Sequence, residues 1–223
     1  MRLSETDHAQ VTAAVARAES SSDGEIVTIV ADRSDAYHDV GLHYAVLAML
    51  LVPALLAFVP QIRIEAWLRP LLGWNAALDH GALMLFLLIV LAIVFLIVRF
   101  GLAWPPLRMA LTPGTTRTRR VRRRAVALFK ASAERRTVGR TGVLLYLSLA
   151  EHRAELVADA AIVEKVSADV WGDAMAALIA EVKAGRPGEG MARAVEQIGV
   201  VLAEHFPRSA TDTNEIPDRL IEL

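Results

Sequence analysis

The sequence predicts an α/β domain interrupted by a two-helix transmembrane hairpin. Two observations carry that expectation. The runs EIVTIVA (25–31) and TGVLLYLSL (141–149) are apolar, β-branched or aromatic, and of strand length, set among amphipathic helical stretches. Between them lie two long charge-free apolar runs, residues 44–59 and 81–98. Hydrophobic residues make up 54% of the 223-residue chain, and mean hydropathy is +0.39. Soluble domains usually hold about 45–50% apolar residues, and here the surplus is concentrated in those two runs.

The first helix is read over residues 4–20. Ser4 is placed to cap it, Asp7 follows three residues on, and Val11, Ala14, Val15 and Ala18 make one apolar face. SSDG (21–24) is a turn, and 25–31 is apolar enough for a central strand. At about 1.5 Å per residue the two apolar runs cover roughly 24–27 Å of a ~30 Å hydrocarbon core. Spans are therefore predicted at about 41–59 and 81–98, the second apolar on every face. Pro53 inside the first is better tolerated in a membrane than in water. The connecting residues 61–80 place Trp67, Leu71 and Trp74 at helical spacing, and Trp104 lies just beyond the hairpin; interfacial aromatics belong at such places.

A formal net charge of -1 conceals a strong asymmetry. Residues 99–140 carry twelve Lys/Arg against one acid, Glu134; residues 1–42 carry three bases and eight acids, and residues 61–80 two of each. Basic residues beside a span are retained in the cytoplasm. The expected topology is a two-span protein of the inner membrane. Ser4, Arg120, Glu215 and the soluble domain are cytoplasmic, and Asn75 is outside. The polar, acidic N-terminus predicts no signal peptide. With no cysteine there is neither a disulfide nor a thiolate metal site.

The stretch RTRRVRRRAVALF (117–129) continues as a helix, with Val121, Ala125, Leu128, Phe129 and Ser132 in one stripe. Arg117, Arg119, Arg120, Arg122, Arg123 and Arg124 occupy the other faces. They are expected to meet anionic lipid headgroups, at about 1 kcal/mol each near the surface. Aromatic or glycine-rich interleaving is missing, so nucleic acid is not expected as a partner. After the strand at 141–149, AEHR forms a hairpin turn into a third strand over 154–162. One closing helix carries Val170, Trp171, Ala174, Met175, Leu178 and Val182. The other carries Met191, Val195, Ile198, Leu202 and Phe206. GRPGEG (185–190) is the turn between them, and 208–223 is read as a polar, loop-like tail. One helix and one strand cannot form a core alone. Residues 1–40 and 113–207 are therefore expected to close as one discontinuous domain around the hairpin at 41–112.

The segments GEIVTIV, AVALF, RTGVLLYLSLAEHRAELVAD and VKAGRPGEGMARAVEQIGVVLAEHFP together resemble the TPM domain. That family is named from thylakoid-lumen proteins, photosystem II repair factors and nematode acetylcholine-receptor auxiliary proteins. The likeness covers residues 4–31 and 115–207, most specifically 140–159. It implies an α/β sandwich, a small mixed sheet flanked by helices, and places the chain in the bacterial membrane-protein branch of the family. Two departures stand out. Many bacterial relatives have a signal peptide, an exported domain and a trailing anchor, whereas here the hairpin is inserted within the domain. And the Asn-Gly or Asp-Asn-Gly usual before the central strand is Arg140-Thr141-Gly142.

The resemblance also implies chemistry, since some members are described as acid phosphatases and some bind calcium. Such chemistry needs carboxylates that hold a metal, and sites in α/β folds gather at the carboxyl ends of strands. The candidate metal ligands are Asp32 and Asp35 after the first strand, Glu151 after the second, beside His152 and Arg153, and Asp159 ending the third. The plainer alternative makes them turn residues and a polar hairpin tip. The six histidines are scattered, and no EF-hand loop, nucleophile elbow or H-E-x-x-H occurs. The expected function is an interaction, assembly or quality-control module for a membrane-protein partner at the cytoplasmic face. The alternatives are a calcium-assisted, acid-phosphatase-like hydrolase and an accessory subunit or regulator of a transporter. Two spans without an intramembrane acid enclose no pathway of their own.

Overall fold

In chain order the elements are α1 (Glu5–Glu19), β1 (Glu25–Ala31), α2 (His38–Leu56), α3 (Gln61–Leu72), α4 (His80–Gly101), α5 (Pro105–Leu111), α6 (Gly114–Ser132), β2 (Gly142–Ser148), β3 (Arg153–Ala158), α7 (Ala160–Lys165), a 3-10 turn (Ala168–Trp171), α8 (Gly172–Lys183), α9 (Pro187–His205) and β4 (Ile221–Glu222). The computed structural model describes residues 3–72, 79–132, 141–209 and 216–223. Trp74, Asn75, Glu134, Arg140 and Glu215, singled out above, lie outside them. The chain divides into two compact units, one made of Met1–Asp35 with Pro113–Leu223 and the other of Ala36–Thr112.

The first unit is a mixed four-stranded sheet with helices on both faces. The strand order is β3-β2-β1-β4. β1 pairs in parallel with β2 over seven residues, from Glu25 opposite Gly142 to Ala31 opposite Ser148. β3 returns antiparallel along β2, and β4 lies parallel to β1 on the far edge. β1 and β2 are buried along their whole length, so each strand serves two cores. Ile26, Val30, Val143, Leu145 and Leu147 face α1, α8 and α9. The alternate residues Val27, Ile29, Ala31, Leu144 and Tyr146 face Val121, Ala125 and Phe129 of α6. This is the period of two expected for a sheet covered on both sides.

Local chemistry explains the helix ends. Ser4 accepts the Asp7 amide while the Asp7 carboxylate accepts the Ser4 amide, which completes a capping box. Gly185 follows the C-cap of α8 with φ 82, and Pro187 opens α9, so the turn at 185–190 uses each residue where its backbone suits. α1 and α9 pack closely enough that a Cβ on Gly199 would stand 2.5 Å from the Cβ of Ala18.

Three sequence expectations are corrected. The third strand stops at Ala158 and does not reach Ile162. Asp159 is the N-cap of α7, and Ile162 enters the core from that helix. Val170 sits in the 3-10 turn and is exposed. The tail is not wholly loop: Ile216 and Leu220 are buried, and Ile221–Glu222 forms the edge strand β4.

In the second unit α2 and α4 pack against each other. Both are long and apolar enough to cross a membrane, with mean hydropathy 1.8 and 3.3. Arg108 is buried at the base of this pair, its Nη1 donating to the carbonyl of Leu102, the C-cap of α4, and standing 3.3 Å from His38 Nδ1. A cation suits the negative end of a helix. Trp67 and Trp104 are exposed.

Two outcomes follow from this packing. Gly199→Ala will lower the stability of the α/β unit by about 1–3 kcal/mol through overpacking against Ala18, readable as a fall in unfolding temperature. Replacing residues 36–112 by a Gly/Ser linker of about ten residues will leave a soluble unit that unfolds in one transition. Residues 113–223 alone will be markedly less stable, because β1 supplies a full strand to both cores; equal stability would refute this account of the sheet.

Candidate functional site

The carboxyl ends of β1 and β2 are joined by a buried polar network. Glu151, in the β2–β3 turn, is only 3% exposed. Its Oε1 accepts the Ser34 amide at 2.9 Å, and its Oε2 accepts the Ser148 hydroxyl. Ser34 Oγ and the Tyr146 hydroxyl lie 3.0 Å apart. Burial pushes the Tyr146 phenol above its ordinary pKa, opposed by its hydrogen bond with Ser34. The turn closes with the His152 amide donating to Leu149 O, and His152 takes φ 47. Glu151 thus works as a carboxylate latch between two loops.

The other predicted ligands are placed differently. Asp35 lies against α6, its Oδ2 3.0 Å from Arg120 and 3.6 Å from Arg123. Asp32 is exposed; its carbonyl accepts the Ala150 amide and its amide reaches Leu223 O. Asp159 sits at the opposite end of the sheet, where its Oδ2 accepts the Gly142 amide at 3.2 Å. The reason is the hairpin: an antiparallel third strand ends where the second begins, roughly 20 Å from Glu151 at about 3.3 Å per residue. The expected convergence of Asp159 with Asp32 and Glu151 therefore does not occur. Among the described residues no group of three or more His, Cys, Asp or Glu is placed to hold a metal ion.

The six arginines of α6 also divide. Arg119 and Arg124 are exposed. Arg122 and Arg123 are exposed while reaching Glu155 and Asp35 at 3.6 Å each. Arg120 has only 13% of its side chain exposed and is held by Asp35. Arg117 turns into a cleft lined also by His152, Arg153, Lys183, Glu151 and Glu155. Burial raises the Glu155 pKa, against the lowering influence of Arg122 and Arg153.

A second buried acidic group, which the sequence reading missed, lies at the start of β1. Glu19 Oε1 accepts the Ile26 amide at 2.7 Å, and Glu25 Oε2 accepts the Ile216 amide. Burial, helped by the charges of Glu25 and Asp218, raises Glu19 to about 8. No spacing rule connects residues 19, 25 and 218; only the pairing of β1 with its neighbours assembles them.

No family model matches the chain, and no curated protein matches it. Among solved structures it is similar to the NMR structure of the BA42 protein from the psychrophilic bacterium Bizionia argentinensis. The TM-score is 0.56 at 16% identity, over 100% of this chain and 97% of that one. At that identity the likeness shows a shared fold.

The raised Glu19 has a pH signature. Between roughly pH 4.5 and 8 the folded chain keeps a proton that the unfolded chain has released. Stability must then fall as pH rises through that window and level off above it. Glu19→Gln keeps an acceptor for Ile26 and will flatten the dependence, measured as unfolding temperature at pH 5 and pH 8.

Proposed function

We propose that this is a membrane-anchored protein of the TPM type, whose α/β domain is an interaction, assembly or quality-control module for a membrane-protein partner at the cytoplasmic face. The observation that carries the anchoring is α4, which has no buried residue along its length. Eight large apolar side chains on α4 and six on α2 are exposed. In water each costs about 1 kcal/mol or more, given roughly 1.5–3 kcal/mol for full burial. Their sum rivals the whole stability of a domain, about 5–15 kcal/mol. A bilayer removes that cost.

Topology supports a hairpin. β1 and β2 are sheet neighbours, so the chain leaves and re-enters one folded unit, and any crossing between Asp35 and Pro113 must be even in number. The basic helix α6 follows the inserted segment directly, which favours the cytoplasm for the α/β unit. Arg119, Arg122, Arg123 and Arg124 are exposed and suit anionic headgroups. The module reading is favoured over a calcium-assisted phosphatase because the candidate carboxylates are engaged elsewhere. Glu151 holds a backbone amide and a serine, Asp35 holds arginines, and Asp159 lies at the far end of the sheet.

Single-cysteine labelling of intact cells with an impermeant maleimide tests the topology. Gln61→Cys should label, and Glu5→Cys should label only after permeabilisation. Strong labelling of Glu5→Cys in intact cells would overturn the orientation, and release of the chain by alkaline carbonate without detergent would overturn the anchoring. Purification in mild detergent should yield a stoichiometric membrane-protein partner; phosphate-ester turnover by the isolated chain would instead assign it to the hydrolases.

A further inference from the structure

We propose that residues 216–223 form a pH-sensitive strap, closed on the α/β unit by a proton shared between the Glu19 and Asp218 carboxyl groups and opened by the loss of that proton. The device lies within the α/β unit and does not depend on whether the chain crosses a membrane.

The strap is fastened at both ends. At its far end Ile221 and Glu222 pair with Ile29 and Val30 of β1. There the Leu223 amide donates to the Val30 carbonyl at 2.9 Å, and the Asp32 amide to the Leu223 carbonyl at 3.4 Å. Ile216 and Leu220 are its buried apolar side chains. Its near end rests on acids. The Ile216 amide donates to Glu25 Oε2 at 3.2 Å, and the Asp218 carboxyl is hydrogen-bonded to that of Glu19. Glu19, the last residue of α1, is 8% exposed, and Glu25, the first of β1, is 5% exposed. Glu19 is fixed in place because its Oε1 accepts the Ile26 amide at 2.7 Å.

An ionised carboxylate can only accept hydrogen bonds, so two carboxyl groups bond to each other only with a proton between them. Without it, Glu19 and Asp218 become like charges in contact, with Glu25 as a third. The charges that bear on Glu19 are those of Glu25 and Asp218, and both favour its protonated form. The neighbouring charged groups are turned to other partners: Arg208 Nη1 donates to the Ser20 carbonyl, Asp23 Oδ1 accepts the Ser209 amide, and Arg17 pairs with Glu196. At the far end of the strap His8 Nε2 lies 3.3 Å from Glu222. The repulsion is relieved most cheaply by movement of the strap. Val15, Ala18 and Ile26 anchor α1 and β1 in the main core, whereas the strap contributes two buried apolar side chains. Terminal segments with few buried contacts open locally, without global unfolding. The sign follows from Glu19, whose proton is kept up to about pH 8 in the closed form, against 4.5 for an ordinary carboxyl. Opening therefore grows as pH rises across that window and levels off above it. It bares the outer edge of β1 at Ile29 and Val30, and an unpaired edge is a template for another extended segment.

The test is amide hydrogen exchange on the full chain in a maltoside detergent at pH 6 and pH 8, with rates corrected for intrinsic exchange. One linked proton changes an opening equilibrium by up to about tenfold per pH unit. Protection of the amides of residues 218–223 should fall at least tenfold from pH 6 to pH 8, while the amides of β2 keep theirs. Glu19→Gln retains an acceptor for Ile26 and gives Asp218 a permanent donor, so protection of the strap should stay high at both values. His8→Gln should leave the fall in place, which separates Glu19 from the His8–Glu222 pair. Should Glu19→Gln prove misfolded by its unfolding temperature, Asp218→Ala, at a half-buried position of the strap itself, should bring protection at pH 6 down toward the native value at pH 8. Equal protection of the native strap at both pH values would overturn the proposal. So would a parallel loss of protection in β2, a fall that survives in folded Glu19→Gln or vanishes in His8→Gln, or full native protection of Asp218→Ala at pH 6.

Discussion

The structure depends on one pairing: β1 lies parallel to β2 in a seven-residue register, although more than a hundred residues separate them in sequence. Neither strand has a solvent face, so each contributes alternate residues to two cores. Loop-closure entropy grows only slowly with length, by about 0.6 kcal/mol per doubling. A long insertion between paired strands is therefore affordable when both strands are fully buried. The two loops at the carboxyl ends of the strands are then tied by Glu151, and α6 is tied to the residues after β1 by Asp35.

Much of the fold was legible because its signals are local. Ser4 and Asp7 announce a helix start, EIVTIVA and GVLLYLS read as doubly covered strands, and Val121, Ala125 and Phe129 mark the buried stripe of α6. What was not legible is what depends on partners remote in sequence. β4 is two residues long in a polar tail, and its strand character comes from the free edge of β1. The end of β3 was misjudged because Ile162 fits an apolar run, whereas Asp159 acts as a helix cap.

The candidate site shows the same division. The ends of β1 and β2 were placed from sequence, and so was the hairpin between β2 and β3, but its consequence for Asp159 follows only from the antiparallel direction. Glu151 was read as a candidate metal ligand or part of a polar hairpin tip, and is a buried acceptor of the Ser34 amide. Arg117 looked like one arginine of a lipid-facing set, yet it lines a cleft with Arg153, 36 positions later. A run of six arginines on a helix conveys charge; which of them face inward is decided by the sheet that the helix covers.

The late arrival of β2 has a consequence for biosynthesis. Chains grow at about 5–20 residues per second, so residues 25–31 leave the ribosome roughly 6 to 25 seconds before residues 142–148 can meet them. Throughout that interval β1 is an apolar strand without neighbours, the kind of segment that associates with other nascent chains. The residues made meanwhile include α2 and α4, two long apolar helices with many exposed apolar side chains of their own. Early handling of the emerging chain, by whatever receives those helices, would hold one end of β1 in place and cut down the wrong encounters open to it while its proper neighbour is still being made.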